Sequence, residues 1–331
     1  MAKINARISK SQEKAIDEEL QIRIKSKTSG KIRKIMICLS PESIKRPGGN
    51  DVRDRITVPC GKCANCLSNQ RSDWTFRLNQ ELKNSSSAYF VTLTYSEENV
   101  PYIGETSTLR KKDLQDFIKR LRRYHDMEVE KYQKLVNASY IELNPPQIRY
   151  YAIGEYGPET LRPHYHGLFF NVSPEVIQHI EKIWKLGFIK VGDVNTASIH
   201  YCTKYVINRK TECPGVEEQF SIMSRRPGIG YSYINNKSLR YHRQEQGQKF
   251  EVTTEDGRIQ RMPRYYKQFI FTKKELQGNA KKIETEMDHT FDEDMEKVRS
   301  NYGGDVGRGL LELSLNRERR FKKLNKKGNL L

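Results

Sequence analysis

The chain has 331 residues, of which 36% are hydrophobic and 10% aromatic, enough to build a core and to argue against wholesale disorder. Its 59 Lys and Arg side chains outnumber 41 Asp and Glu, so the net charge of +18 favours a polyanionic partner. The mean hydropathy of −0.79 and the lack of an apolar run of roughly 20 residues exclude a transmembrane helix. The N-terminus has no secretory signal, so we expect a cytoplasmic protein with no membrane partner.

Both ends of the chain are strongly basic. Residues 1–34 carry ten basic and four acidic side chains, and residues 315–331 carry seven basic side chains and one acidic side chain. We expect residues 1–34 to form a basic arm. Either end would hold phosphate groups, or would serve only as a solubilising tail.

Six cysteines are too few for a disulfide framework, and without an export signal we expect free thiols. Cys60, Cys63 and Cys66 follow one another at the spacing of metal knuckles, and Cys38 upstream would supply a fourth sulfur ligand. Structural zinc is the favoured hypothesis, with free thiols in a tight turn or an iron–sulfur cluster as alternatives. We assign residues 35–80 to this Cys-rich knuckle.

Hydrophobic periodicity and turn residues predict the element order β-α-β-β-α-β-α in the middle of the chain. The predicted elements are strands over residues 87–95, 147–155, 164–171 and 187–191, and helices that start near residues 108, 173 and 195. Eight residues containing Gly and Pro join the second strand to the third, so we expect these strands to pair antiparallel. We assign residues 86–240 to an α+β core, an antiparallel-rich sheet with the helices packed on one face.

Two histidines, His164 and His166, lie two residues apart on a predicted strand, so both side chains project to the same side. If the hairpin closes symmetrically, Glu155 lies directly across from His164, with about 5 Å between the Cβ atoms. Two imidazoles and one carboxylate suit Mg²⁺ or Mn²⁺, and their ligand type also admits Zn²⁺ or Fe²⁺. The alternative is that one or both histidines are structural.

Tyr201 and Tyr205 are one helical turn apart, about 6 Å along the axis, with Lys204 beside them. A phenolate can attack a phosphodiester and form a covalent intermediate, and a neighbouring lysine can hold a phosphate or protonate a leaving oxygen. Paired tyrosines at this spacing also occur in cores and interfaces, which is the alternative. Taken with the predicted metal site and the basic surface, the pattern indicates metal-assisted transesterification of DNA.

The region after the predicted core contains fewer informative patterns. Arg225 and Arg226 lie on a Gly- and Pro-rich loop suited to phosphate contacts, although surface arginines on turns are common. Residues 250–271 predict a hairpin and residues 273–298 a charged helix. We assign residues 241–331 to an accessory region that ends in the basic tail.

Several stretches of the sequence resemble the HUH-family endonucleases, and more narrowly the rolling-circle replication initiators of gokushovirus-like phages of the microvirus group. The stretches are FVTLTY (90–95), GEYGPETLRPHYHGLFF (154–170), YCTKY (201–205), MSRRPGIG (223–230) and PCGKCANC (59–66), with Arg71 and Trp74. The resemblance extends from about residue 38 to about residue 236. It implies an HUH-endonuclease-like fold for the core.

The resemblance also implies roles for individual residues. They are the metal ligands His164, His166 and Glu155, the nucleophiles Tyr201 and Tyr205 with Lys204 as their basic companion, and the DNA contacts Arg162, Arg225 and Arg226. In the two-tyrosine pattern each tyrosine tends to have a lysine three residues on. Tyr205 has Asn208 there instead, so the order of cleavage is open, with Tyr201 slightly favoured for the first cut.

The activity implied by the resemblance is site-specific nicking of an origin in single-stranded or supercoiled DNA. It leaves a 5′-phosphotyrosine link and a free 3′-OH that primes the host polymerase, and the same site later rejoins the ends. The implied partners are the single-stranded origin and the host helicase and polymerase, in the cytoplasm of a bacterial host. The alternatives are an HUH transposase or relaxase, or a non-catalytic, zinc-stabilised nucleic-acid-binding protein.

Overall fold

The computed structural model describes residues 38, 42–45, 55–135, 146–157, 159–204, 215–244 and 248–309, with five positions between 311 and 319. The predicted basic arm, Tyr205 and most of the basic C-terminal tail lie outside the described residues. Within the described part, no helix combines the length and the apolar composition of a membrane span.

Eleven strands and eight α-helices are described. The strands are β1 (Glu42–Lys45), β2 (Arg55–Val58), β3 (Ala88–Thr94), β4 (Tyr102–Ile103), β5 (Thr106–Ser107), β6 (Arg149–Tyr156), β7 (Pro163–Phe170), β8 (Ile189–Asp193), β9 (Phe220–Met223), β10 (Glu251–Thr253) and β11 (Ile259–Arg261). The helices are α1 (Ala64–Lys83), α2 (Lys111–Leu135), α3 (Pro174–Gln178), α4 (Ile180–Trp184), α5 (Thr196–Lys204), α6 (Asn236–His242), α7 (Arg264–Ile270) and α8 (Lys273–Asn301).

A five-stranded sheet in the order β8-β3-β7-β6-β9 forms the centre of the fold. Every neighbouring pair is antiparallel. The predicted α+β class with an antiparallel sheet is therefore confirmed. The predicted hairpin is also confirmed, because β6 and β7 pair over eight positions with Glu155 directly opposite His164.

The helices cover both faces of the sheet, so the prediction that they pack on one face is wrong. One face packs against α2, α3 and α4 through residues such as Phe117, Phe169 and Trp184. The other face packs against α1 and α5, where Leu78 and Ile199 are fully buried. The physical reason is that β6 and β7 are buried along both faces, and a strand with two apolar faces needs a cover on each side.

Two elements next to the site were not predicted. The first is α1, which begins immediately after Cys63 and continues the Cys-rich segment into a helix of 20 residues on the sheet. The second is the edge strand β9, whose four residues pair with β6. A strand of four residues is too short for alternation to distinguish it from a loop.

A smaller core holds the C-terminal elements against α1. Phe76 of α1 packs with Val252, Met262, Tyr266 and Ile270, all nearly or fully buried. The predicted hairpin in this region is confirmed as the antiparallel pair β10 and β11. The predicted charged helix is α8. Through α1, this second core is attached to the same helix that covers the sheet.

Candidate active site

His166 lies in the middle of β7 and is held in place from two sides. Its Nδ1 atom is 3.0 Å from the Thr92 hydroxyl on the neighbouring β3. Its Nε2 atom is 2.8 Å from Oε1 of Glu155 on β6. The ring of Phe90 stacks on the imidazole with a centroid distance of 5.8 Å, so the orientation of His166 is set by three strands.

Tyr201 projects from α5 onto the same two side chains. Its hydroxyl donates a hydrogen bond of 2.6 Å to Oε1 of Glu155, and its oxygen is 3.4 Å from Nε2 of His166. The phenol ring meets the His166 ring edge to face at 4.9 Å. Tyr201, Glu155 and His166, from a helix and two strands, therefore share one site.

The position of α5 follows from its burial pattern and from its contacts with α1. Ile199 and Cys202 are fully buried against the sheet, and this places Tyr201 at its edge over the hairpin. Arg71 of α1 donates to the backbone oxygen of His200, and the hydroxyls of Thr75 and Thr203 are 3.3 Å apart. The helix that carries the tyrosine is thus fastened to both the sheet and α1.

His164 stands one step further along β7 from this group. Its ring centre is 6.4 Å from that of His166, and its Cε1 atom lies close against the backbone of Gly157. Burial lowers the pKa of His164, so its imidazole is neutral at neutral pH, the form that binds metals. A metal held by all three predicted ligands would require His164 to move closer to the pair Glu155 and His166.

The donor set of this site nonetheless fits a divalent metal. Imidazole nitrogen and carboxylate oxygen are ligands that Mn²⁺ and Mg²⁺ accept, and the hydrogen bond from Thr92 to Nδ1 leaves Nε2 of His166 as the ligand atom. Such an outer hydrogen bond is typical of metal-binding histidines. Sequence reasoning missed Thr92 and Phe90, although the alternation of FVTLTY places both on one face of β3.

The remaining predicted residues are distributed around the site. Lys204 is the last described residue of α5 and is half-buried, and Tyr205 lies outside the described residues. The guanidinium of Arg162 contacts the Glu97 carboxylate and donates to the backbone oxygen of Tyr95 at 2.7 Å, which ties the hairpin turn to the end of β3.

Arg225 and Arg226 are exposed on the loop after β9. The buried carboxylate of Glu81 anchors this loop, because it pairs with Arg149 and accepts a hydrogen bond of 2.6 Å from the backbone N–H of Gly230. Gly230 has φ +75°, and a Cβ there would lie 2.5 Å from the backbone oxygen of Arg77, so the close approach requires glycine. The loop is therefore a firmly held support for two cations.

The four predicted cysteines form a second candidate metal site. One sulfur atom from each of Cys38, Cys60, Cys63 and Cys66 lies within 4.8 Å of the others. Backbone N–H groups of Cys60 and Cys63 donate to sulfur atoms of the cluster. Where the structure is described, this is the only group of three or more His, Cys, Asp or Glu side chains gathered in this way. The arrangement is suited to a structural metal ion.

Comparison with known proteins gives a consistent picture. Residues 88–210, from β3 through the tyrosine helix, match a family model described as the replication-associated protein ORF2. The replication-associated protein ORF2 of Spiroplasma virus 4 is 27% identical over 236 residues, which cover 63% of this chain and 66% of that protein. The replication-associated protein VP4 of Bdellovibrio phage phiMH2K is 27% identical over 229 residues, covering 64% and 66%.

A third relative, the replication-associated protein ORF4 of Chlamydia phage 1, is 24% identical over 168 residues, which cover 45% of this chain and 37% of that protein. The chain thus spans just under two thirds of the first two relatives. No solved structure matches the chain. The family predicted from the sequence is confirmed by these matches, and residues 88–210 belong to the family of the replication-associated protein ORF2.

Proposed function

We propose that this chain is a rolling-circle replication initiator, a site-specific DNA nickase and strand transferase with an HUH-endonuclease-like core. The observation that carries the proposal is the meeting of Tyr201 with Glu155 and His166 within 3.4 Å, because a nucleophile and candidate metal ligands in one site are what the reaction needs. The printed names of the three phage relatives support a role in replication.

In the proposed reaction, the phenol oxygen of Tyr201 or Tyr205 attacks a phosphorus atom of the DNA backbone. A bond forms between that oxygen and phosphorus, and the bond from phosphorus to the 3′ oxygen breaks. The tyrosine loses a proton to water and the 3′ oxygen gains one from water, which leaves a 5′-phosphotyrosine and a free 3′-OH. The reverse reaction with another 3′-OH rejoins the ends.

His164, His166 and Glu155 are the proposed ligands of a Mg²⁺ or Mn²⁺ ion, which would polarise the scissile phosphate. Thr92 orients His166, and Glu155 orients the hydroxyl of Tyr201 through their hydrogen bond. Lys204, Arg162, Arg225 and Arg226 are the proposed contacts to the phosphates of the strand. A single-stranded origin and the host helicase and polymerase, in the cytoplasm of a bacterial host, are the proposed partners.

The proposed ion at Cys38, Cys60, Cys63 and Cys66 is structural Zn²⁺, because four thiolates in a compact group suit tetrahedral zinc. Its role would be to hold the short segment before α1. The cluster offers no open position for a reaction, so we assign it no part in the chemistry.

The test of the nickase is formation of a covalent protein–DNA adduct. The full chain is incubated with Mn²⁺ or Mg²⁺ and single-stranded oligonucleotides tiled across the genome that encodes it. We expect an adduct with a small number of them. It should fall by about 10³-fold or more in the double variant Tyr201→Phe, Tyr205→Phe and strongly in His166→Ala, because the nucleophiles or a ligand are removed.

Tyr231→Phe is the matched control, since Tyr231 is a partly exposed tyrosine away from the site. Mass spectrometry of the adduct peptide identifies the tyrosine that attacks. Binding of the oligonucleotides without an adduct at any metal or sequence would refute the nickase and favour the non-catalytic nucleic-acid-binding protein.

A further inference from the structure

A cavity of about 120 Å³ lies between α1 and the start of α7. Gln70, Asp73, Trp74 and Arg77 line it from one face of α1, and Arg264 and Tyr265 line it from the other side. A water molecule needs roughly 10–15 Å³ of such space, so the cavity has room for a flat organic group rather than a single ion. The reaction proposed above does not use this cavity.

One wall of the cavity is a stack of aromatic and guanidinium groups. The guanidinium of Arg77 lies between the ring of Trp74, at 4.2 Å, and the ring of Tyr265, at 4.0 Å. Its Nε donates to the backbone oxygen of Ile229 at 3.0 Å, which fixes its plane. Aromatic rings and arginine planes are the surfaces on which unpaired nucleic-acid bases stack.

The opposite requirement, a group that recognises a base edge, is met by Asp73. Its Oδ2 atom accepts a hydrogen bond of 2.7 Å from Arg261. Its Oδ1 atom is buried and accepts no hydrogen bond from any residue that the structure describes. A buried acceptor without a donor costs about 1–3 kcal/mol, so a ligand that supplies an N–H group would be stabilised here.

The charge around the cavity suits a nucleotide. Arg261 and Lys267 act on the Asp73 carboxyl, and Arg264 adds a cation at the rim. Burial raises the pKa of Asp73 to about 6, so the carboxylate is mostly ionised at pH 7.5 and acts as an acceptor. A positive surround with one buried acceptor fits a phosphate outside and an amino-bearing base inside.

We propose that this cavity holds one nucleotide of the single-stranded DNA, whose base carries an exocyclic amino group. The amino group would donate to Oδ1 of Asp73, the ring would lie against the stack of Trp74, Arg77 and Tyr265, and the phosphate would face Arg264. Carboxylates accept from the N4 amino group of cytosine, whereas the O4 atom of thymine is an acceptor and would repel Asp73. The cavity therefore discriminates against thymine.

The location makes such a pocket useful for choosing the cleavage position. A different side of α1 contacts the tyrosine helix, through Arg71 to His200 and through Thr75 to Thr203. A nucleotide in the cavity is therefore about one helix diameter, roughly 10 Å, from the helix that carries Tyr201. Holding one base there would set which phosphate reaches the site.

The test is a binding measurement, and it rests on the proposed function only in taking a DNA strand as ligand. Fluorescence anisotropy of the full chain at pH 7.5, without added divalent metal, compares labelled dT12 with dT12 carrying one central dC. We expect the dC strand to bind at least about 5-fold more tightly, in line with a contact of about 1 kcal/mol or more. Because no cleavage is measured, failure of the nickase does not affect the result.

The decisive variant is Asp73→Asn. Arg261 would hold the amide oxygen, so the amide NH₂ would face the cavity and donate to O4 of thymine, and the preference for dC should be lost or reversed. Arg264→Ala should weaken binding of both strands by a similar factor. The control is Arg258→Ala, an exposed arginine on the β10–β11 hairpin that should leave the ratio of affinities unchanged.

A second readout is tryptophan fluorescence. The chain has two tryptophans, and Trp184 is fully buried in the main core, so quenching by the dC strand should report Trp74. Equal affinities of wild type for the two strands would overturn the proposal. So would an unchanged preference in a folded Asp73→Asn variant, and the stack around Arg77 would then be structural only.

Discussion

Glu155 links two side chains that the sequence separates by 35 positions, since it accepts a hydrogen bond from Tyr201 and lies 2.8 Å from His166. Alternation along β7 was sufficient to predict that both histidines face one side. It was not sufficient to predict that His166, rather than His164, is the closer partner of Glu155. A diagonal contact across two strands depends on side-chain rotamers, which periodicity does not contain.

His242 is a fully buried histidine whose two ring nitrogens are both hydrogen-bonded. Its Nδ1 donates to the backbone oxygen of Lys249, and its Nε2 accepts from the hydroxyl of Tyr233, both at 2.7 Å. Burial lowers the pKa of His242 below 6.5, so between the two pKa values the unfolded chain binds a proton that the folded chain does not. Its contribution to stability is therefore present above pH 6.5 and lost as the pH falls.

We expect the free energy of unfolding to decrease on going from pH 7.5 to pH 5.5, with a contribution from His242 of up to about 1.4 kcal/mol per pH unit. Urea denaturation at both pH values checks this. The His242→Asn variant should show a smaller pH dependence than wild type, whereas His179→Asn, at an exposed position, should not. An equal pH dependence in wild type and His242→Asn would contradict the assignment.

At the scale of elements, α1 connects four parts of the molecule. Its first turn follows the cysteine cluster, one face covers the sheet, another lines the cavity, and Phe76 enters the second core. The sequence predicted the cysteine cluster but not the helix, because the polar residues NQRSD of α1 mask the spacing of its buried Phe76 and Leu78. Most of α1 is half-buried between two layers, and such helices lack a simple apolar stripe.

The cysteine cluster should stabilise the start of α1 through a bound metal. We expect about one zinc per chain in purified protein, measured by elemental analysis. Cys66→Ser should lose most of that zinc and lower the melting temperature by at least about 5 °C, because binding of a structural metal contributes to folding.

The control for this experiment is Lys62→Ala, which changes an exposed residue inside the same segment without removing a sulfur ligand. It should keep both the zinc and the melting temperature of wild type. Zinc-free wild-type protein with the same melting temperature as Cys66→Ser would show instead that the cysteines are free thiols.

At the scale of the whole molecule, the net charge of +18 should make binding to DNA strongly dependent on salt. The affinity for single-stranded DNA should fall with log salt at a slope of about 0.7 for each phosphate contacted. Replacing the ten basic side chains of residues 1–34 by glutamine should reduce this slope by about 2 or more if the arm holds at least three phosphates.

Anisotropy titrations between 50 and 200 mM salt, about the range over which such contacts are resolved, provide the measurement. The comparison variant removes the seven basic side chains of residues 315–331 in the same way, which separates the two ends of the chain. An unchanged slope in both variants would assign the ends a solubilising role.

The sequence by itself determined the sheet hairpin and its register, because pairing across a short turn is local and alternation sets the side on which Glu155, His164 and His166 lie. Only the tertiary structure decided that α1 and α5 cover the histidine face while α2, α3 and α4 cover the other. Since β6 and β7 are apolar on both faces, their pattern contains no preference for either cover. That choice is made by packing between distant segments, and it brings Tyr201 to the hairpin.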